Sequence, residues 1–209
     1  SETAIHPSSA GNVIFHSEMA LDVFKRLNQQ MNARVQASMK SPNKADHVKY
    51  KRTKEEVILH KDKIRVITET RKTADGKEEK ILVGAQHKQR IEDINFISPE
   101  HPFDFRVSAS VEEMVDMPPS HWIHEGKRIK DRMSYIFDIF SFDITSVQNI
   151  GKPGVAERRT YEVEIEILPA AKLFEEAERH RATNGNESGL YVIAYKLLHN
   201  VRQVLDFLK

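Results

Sequence analysis

Apolar and polar positions alternate with a period of two in stretch after stretch of this chain, the pattern of β-strands with two unlike faces. Over 104–112 every even position is polar or charged and every odd one apolar, which puts Arg106 and Glu112 on the same side. Over 128–137, Arg128, Lys130 and Arg132 share one face, and Ile129, Met133, Tyr135 and Phe137 share the other. The same reading pairs Arg65 with Glu69 over 63–69, aligns Lys88, Arg90 and Glu92 over 88–92, and aligns Asp143 with Thr145 over 141–145. The most unbalanced run is 161–168, where Glu162, Glu164 and Glu166 oppose Tyr161, Val163, Ile165 and Ile167. Like charges ~6.5 to 7 Å apart along a strand repel one another. Such a face is stable only if water, basic side chains or a hard divalent cation neutralises it.

A period near 3.6 takes over at three places. Ser17 is placed to cap a helix through Met19, Val23, Leu27, Met31 and Val35, with Phe24 widening its apolar stripe. Near the other end, Ile193, Leu197, Val201, Val204, Leu205 and Leu208 form a long stripe with Lys196, His199, Arg202 and Gln203 on the wet side. A shorter helix over 171–181 follows Pro169 and ends at the turn-rich 184–189, with Glu175, Glu176 and Glu178 on its solvent side. The stretch 40–54 reads as a surface connection into a strand around Val57, Ile58 and Leu59. The segment 151–154 with Arg158 and Arg159 reads as a solvated hairpin, and 1–11 as a Pro/Ser/Gly-containing loop in which Glu2 has no acidic partner.

An ordinary sandwich, charged side to solvent, explains any one of these strands. It explains them together less well, because one strand is purely acidic and another almost purely basic, as if both faced a shared anionic ligand and its metal. That segregation suits a closed barrel with a polar charged interior, whose apolar exterior is covered by helices. The expected fold class is therefore α+β, mainly antiparallel β.

Composition narrows the reading further. The 209 residues suffice for one sizeable core, and no Pro/Gly-rich break divides the strands, so a single domain over 1–209 is expected. Without cysteine there are no disulfides or thiolate metal sites, and any metal is held by oxygen or imidazole. No apolar run approaches the ~18 residues of a membrane span, so no membrane insertion is expected. A net charge of +1 exerts no global pull on a polyanion, which leaves a local basic surface of Arg65, Lys88, Arg106, Arg128, Lys130 and Arg132 to attract one. His121 and His124 lie in an exposed loop flanked by Pro118, Pro119 and Gly126 and lack a third zinc ligand, while Trp122 beside them reads as loop packing.

Taken in order, 63–66, 88–94, 103–112, 128–135, 142–145 and 162–166 resemble the fungal mRNA-capping RNA 5′-triphosphatases, members of the triphosphate tunnel metalloenzymes. The resemblance spans roughly 15–168, and its motifs agree in order and in parity. It implies a tunnel barrel of the eight-stranded type and hydrolysis of the γ-phosphate from the 5′-triphosphate end of nascent mRNA, the first step of capping. It further implies that Arg65, Lys130 and Arg132 grip the γ-phosphate while Lys88, Arg106 and Arg128 line the same tunnel. Glu112 would orient the attacking water, and Asp143 and Thr145 would lie on the floor. Glu162, Glu164 and Glu166 would supply part of a Mg²⁺ or Mn²⁺ site, Glu166 as a direct ligand and Glu164 through a metal-bound water.

The partners it implies are 5′-triphosphate RNA, the capping guanylyltransferase, the RNA polymerase II elongation machinery and a second copy in a homodimer, all in the nucleus. The family carries a further Glu-x-Glu pair on a first strand ahead of the helix around Met19. That strand is not recognisable in 1–11, and the sequence is expected to begin after it. Two other readings stay open: a tunnel relative acting on inorganic triphosphate or nucleotides, and a non-catalytic phosphate- or RNA-binding barrel.

Overall fold

The computed structural model describes residues 4–5, 15–151, 157–185 and 187–209. Its strands are β1 (Ala4–Ile5), β2 (Lys49–Leu59), β3 (Ile64–Lys72), β4 (Glu78–Ile97), β5 (Phe105–Val115), β6 (Gly126–Phe137), β7 (Phe140–Ile150) and β8 (Arg158–Ile167). Its helices are α1 (Leu21–Ser38), α2 (Ala170–Ala182) and α3 (Leu190–Phe207). The hydrogen-bonded order is β1-β4-β3-β2-β6-β7-β8, with β5 also on β4. The pairings of β4 with β1, β3 and β5, and of β2 with β3, are antiparallel. The residues group into two compact units: 1–20, 52–133 and 145–162 in the first, and 21–51, 134–144 and 163–209 in the second.

In the first unit, β2 and β3 form a hairpin whose turn holds Asp62 and Lys63 at φ 55° and 60°. Lys63 therefore lies in the turn rather than in the strand where its alternation put it. The long β4 pairs β3 along its first half and β5 along its second, with one extra residue at Val83 and another at Ile91. Each extra residue reverses which side of the sheet the following side chains occupy. Among the described residues of this unit, Val57, Val66, Ala85 and Val147 form the buried apolar set.

In the second unit, Phe24, Leu27 and Met31 form the buried stripe of α1, and Ile193, Leu205 and Leu208 are buried at α3 and its end. Tyr135 is fully buried, with its hydroxyl 2.9 Å from both Asn28 Oδ1 and Asn32 Oδ1 of α1. Lys196 of α3 reaches Asp138 at 2.7 Å.

Several boundaries differ from the sequence reading. The first helix starts at Leu21, leaving Ser17 and Met19 outside it, and the Met19 N–H donates to the Tyr161 carbonyl instead. Residues 49–54 belong to β2 rather than to a connection, and the pairing with β3 begins at Lys54 opposite Thr70. Within 1–11, Ala4 and Ile5 pair with Ile97 and Phe96. Arg158 and Arg159 open β8, and Arg158 forms an ion pair with Glu18. Glu176 does not face water: its carboxylate accepts the Gly189 N–H at the start of α3, where a helix N-terminus favours negative charge. Glu2 and 152–154 lie outside the described residues. No helix among the described residues is long and apolar enough to cross a membrane.

Candidate active site

In the first unit, the register of β5 on β4 places Lys88 directly opposite Glu112, and the Lys88 ammonium lies 2.8 Å from the carboxylate. On β3, Arg65 pairs with Gln86, and Gln86 stands two positions before Lys88 on the same side of β4. Arg65 thus joins Lys88 and Glu112 on one face.

The side chains that join β2 to β6 fix the face of β6. Arg52 holds Asp131 through two hydrogen bonds of 2.8 and 2.6 Å, and Lys127 lies 2.8 Å from Glu56. Asp131 and Lys127 occupy the odd-numbered side of β6, so Arg128, Lys130 and Arg132 occupy the other. Strand alternation alone predicts that arrangement.

Electrostatics tie these strands together at Glu112. Partial burial raises its pKa, but the hydrogen bond from Lys88 and the fields of Lys88, Arg65 and Lys130 outweigh it, so the net value lies below that of an ordinary glutamate. Charges on three strands, β3, β4 and β6, thus favour the ionised form of one carboxylate, and Lys88 touches it directly.

Arg128 makes a second cluster. Its Nε donates to Asn149 of β7 at 3.1 Å and its Nη2 to Glu162 of β8 at 2.9 Å. Both side chains of the ion pair are mostly buried, and Asn149 also reaches Thr160. Thr145, on the Asn149 side of β7 by alternation, is buried, and its hydroxyl oxygen has no hydrogen-bond partner among the described residues.

Arg106 belongs to a third cluster that differs from the expectation. The alternation of 88–92 puts Glu92 beside Lys88 and Arg90. The extra residue at Ile91 pairs Glu92 with Ala109 on the opposite side and brings Asp93 opposite Ser108 instead. Asp93 accepts from Arg90 at 2.7 Å and from the Ser108 hydroxyl at 2.6 Å, and lies 3.3 Å from Arg106. Arg106 donates from Nε to Asn95 at 2.7 Å and stacks 4.5 Å above the Phe15 ring. Asp93 and Asn95 were missed because a bulge carries no mark in the polarity pattern; the two-residue acidic step Glu92-Asp93 was the available hint.

In the second unit, Asp143 is buried and accepts the Ser141 hydroxyl at 2.6 Å. Glu164 and Glu166 are exposed on β8. Among the described residues no three carboxylates or imidazoles form a group able to hold a metal ion. Glu162 is committed to Arg128. The described donors therefore do not by themselves fit a divalent cation, which takes about six oxygen ligands. His121 and His124 are exposed in the loop before β6.

Fold and site together define an α+β protein whose mainly antiparallel sheet gathers Lys and Arg from several strands around a carboxylate. The chain belongs to a family described as mRNA capping enzyme, beta chain, whose model matches residues 1–206. It is 29% identical over 208 residues to the mRNA-capping enzyme subunit beta of Schizosaccharomyces pombe, a match covering 96% of this chain and 64% of that protein. It is 34% identical over 97 residues to the subunit of the same name from Cryptococcus neoformans, covering 46% of this chain and 24% of that one. The fold matches the structure of S. pombe Pct1 RNA triphosphatase with a TM-score of 0.81 and 26% identity, over 97% of this chain and 74% of that one. A second Pct1 structure, in complex with the Spt5 CTD, matches with a TM-score of 0.82 and 26% identity over the same shares. The chain thus spans less than two thirds of the length of either capping-enzyme relative.

Proposed function

We propose that this chain is the catalytic domain of a polynucleotide 5′-triphosphatase, which hydrolyses the γ-phosphate of triphosphate-ended nascent mRNA to leave a 5′-diphosphate end for capping. The observation that carries this reading is the cross-strand pair of Lys88 and Glu112 at 2.8 Å, with Arg65 on the same face by register and the charges of Arg65 and Lys130 favouring the ionised carboxylate. Phosphoryl transfer spreads negative charge over the equatorial oxygens of the moving group, so positioned Lys and Arg side chains supply much of the stabilisation.

In this reading Arg65, Lys130 and Arg132 hold the γ-phosphate, the arginines each able to bind two oxygens at once. Lys88, Arg106 and Arg128 line the path of the remaining phosphates, with Asp143 and Thr145 on the floor. Glu112 orients the attacking water. In the free protein its carboxylate is a weak base, because three cations favour its ionised form. A bound triphosphate occupies those same cations, which lifts the Glu112 pKa and readies it to take the proton of the water.

The ionic sides of the strands would enclose a tunnel, with 1–209 acting as one domain. A Mg²⁺ or Mn²⁺ ion, when bound, supplies charge neutralisation on the phosphate. Such an ion would need ligands beyond Glu162, Glu164 and Glu166. By the same family reading the partners are the capping guanylyltransferase, a second copy of the chain and the polymerase II elongation machinery in the nucleus. The Pct1 complex with the Spt5 CTD supports the last of these.

The full-length protein, supplied with Mn²⁺, is expected to release phosphate from triphosphate-ended RNA. Arg132→Ala and Glu166→Ala should each abolish release without unfolding the protein, and retained turnover in both variants would sink the assignment of the site. The commitment of Glu162 to Arg128, an ion pair of 2.9 Å, favours a second reading, a phosphate- or RNA-binding barrel without turnover. That protein would bind triphosphate-ended RNA, release no phosphate, and show a shallower salt dependence of binding on Lys130→Ala.

A further inference from the structure

We infer that Asp93 is a positioning residue for triphosphate binding, brought onto the ionic face by the extra residue at Ile91 and acting through Arg106. The inference rests on the triphosphate-binding reading above and adds a residue to it.

β5 pairs without interruption over 105–115, so Arg106, Ser108, Ser110 and Glu112 lie on one face by simple alternation. Their partners on β4 are Asn95, Asp93, Arg90 and Lys88, in that order. Regular alternation from Lys88 would bring Glu92 and Ile94 to this face. One inserted residue replaces them with Asp93 and Asn95, the two side chains that contact Arg106. The displaced Ile91 and Ile94 are left exposed, while the same shift sets Phe96 against Phe105 with ring centroids 4.7 Å apart, so the bulge sorts polar side chains to one face and the aromatic pair to the other. Bulges re-aim side chains at functional sites.

The cost of this arrangement points the same way. Arg106 is about three-quarters buried, and an uncommitted guanidinium there would sweep many rotamers. Asn95 fixes Nε, Asp93 faces Nη1 and Phe15 covers the plane, so the group is held from three directions before any ligand arrives. Preorganised donors bind an anion without the ordering cost that a mobile side chain carries. Asp93 is itself fixed by Ser108 and Arg90, so its carboxylate is a rigid anchor. Its negative charge also offsets the mutual repulsion of Arg90 and Arg106 while the site is empty of anion.

The test measures binding of inorganic tripolyphosphate by calorimetry and phosphate release from triphosphate-ended RNA, in the full chain and in variants. Asp93→Ala is expected to weaken tripolyphosphate binding by about tenfold, the size of one charge-assisted hydrogen bond network lost, and to raise KM by a similar factor with a smaller change in kcat. Asp93→Asn, which keeps a carbonyl acceptor, should recover part of the loss. In an Arg106→Ala background the Asp93→Ala change should have no further effect, whereas in an Arg90→Ala background it should persist. Wild-type affinity in Asp93→Ala, or an equal loss with and without Arg106, overturns the inference while leaving the triphosphatase reading intact. A loss that tracks a fall in the unfolding midpoint across Asp93→Ala and Asp93→Asn also overturns it. A wild-type chain that neither binds tripolyphosphate nor releases phosphate overturns both.

Discussion

Lys88 and Glu112 face each other as a cross-strand pair of β4 and β5, with 2.8 Å between ammonium and carboxylate, and Arg65 and Lys130 add their fields to the same group. Burial acts to raise the Glu112 pKa, the three cations lower it further than burial raises it, and the carboxylate stays ionised below the usual glutamate range. The stabilising contribution of the pair is present above the ordinary glutamate pKa and is lost as pH falls through the lowered one. For turnover, the acid limb of kcat/KM reports the free protein, and that of kcat reports the substrate complex, in which bound phosphate occupies the cations. The kcat limb is expected at higher pH than the kcat/KM limb. Lys88→Met should move the kcat/KM limb upward. Coincident, unmoved limbs in pH-rate profiles of both proteins would remove Glu112 from the reaction.

Arg128 joins β6 to Asn149 of β7 and Glu162 of β8, and its pair with Glu162 is largely shielded from water. Arg128→Met leaves two acceptors without their donor and is expected to cost about 1–3 kcal/mol of stability. Adding Glu162→Gln should cost less than the sum of the two single changes, because the second removes a group the first had orphaned. Urea unfolding of the four proteins in the cycle measures both.

Gly84 sits at φ +141° beside the extra residue at Val83, and a Cβ there would come within 2.6 Å of Met114 Cε. The Met114 contact is with the flexible end of a side chain and yields easily. The backbone conformation does not. Gly84→Ala should destabilise by about 1–3 kcal/mol, and Met114→Ala should fail to restore the loss. Full rescue in thermal or chemical unfolding would locate the problem in packing instead.

Tyr135 is the most deeply buried phenol, and burial, with a smaller contribution from Tyr50, pushes its pKa up to about 12. Its folded pKa is raised above the free value, so its stabilising contribution is complete below the unfolded pKa, near 10, and disappears as pH rises towards 12. Tyr135→Phe should lower stability at neutral pH by about 1–2 kcal/mol through the lost hydrogen bond to α1. It should also flatten the alkaline decline, and unfolding midpoints between neutral and strongly alkaline pH measure both.

Most strands were legible because polarity alternation is a local property, set by which side chains tolerate water on each face. Arg128, Lys130 and Arg132 on one side of β6 needed nothing else. Strand ends were less legible: residues 49–54 read as a connection because their Lys-rich pattern matches a surface loop, yet they form the first half of β2. Glu176 read as solvated, because nothing local discloses that the start of another helix lies against its carboxylate.

The sequence by itself determined that this chain is mainly antiparallel β with charged and apolar faces segregated, that thiolates take no part, and which cations share a strand face. Those follow from side-chain chemistry at fixed spacing. Only the tertiary structure decided which charges meet: Lys88 with Glu112, Arg128 with Glu162, and Asp93 rather than Glu92 with Arg106. Pairing between strands depends on register, and one inserted residue at Ile91 turns every later side chain of β4 to the other face without changing the composition at all.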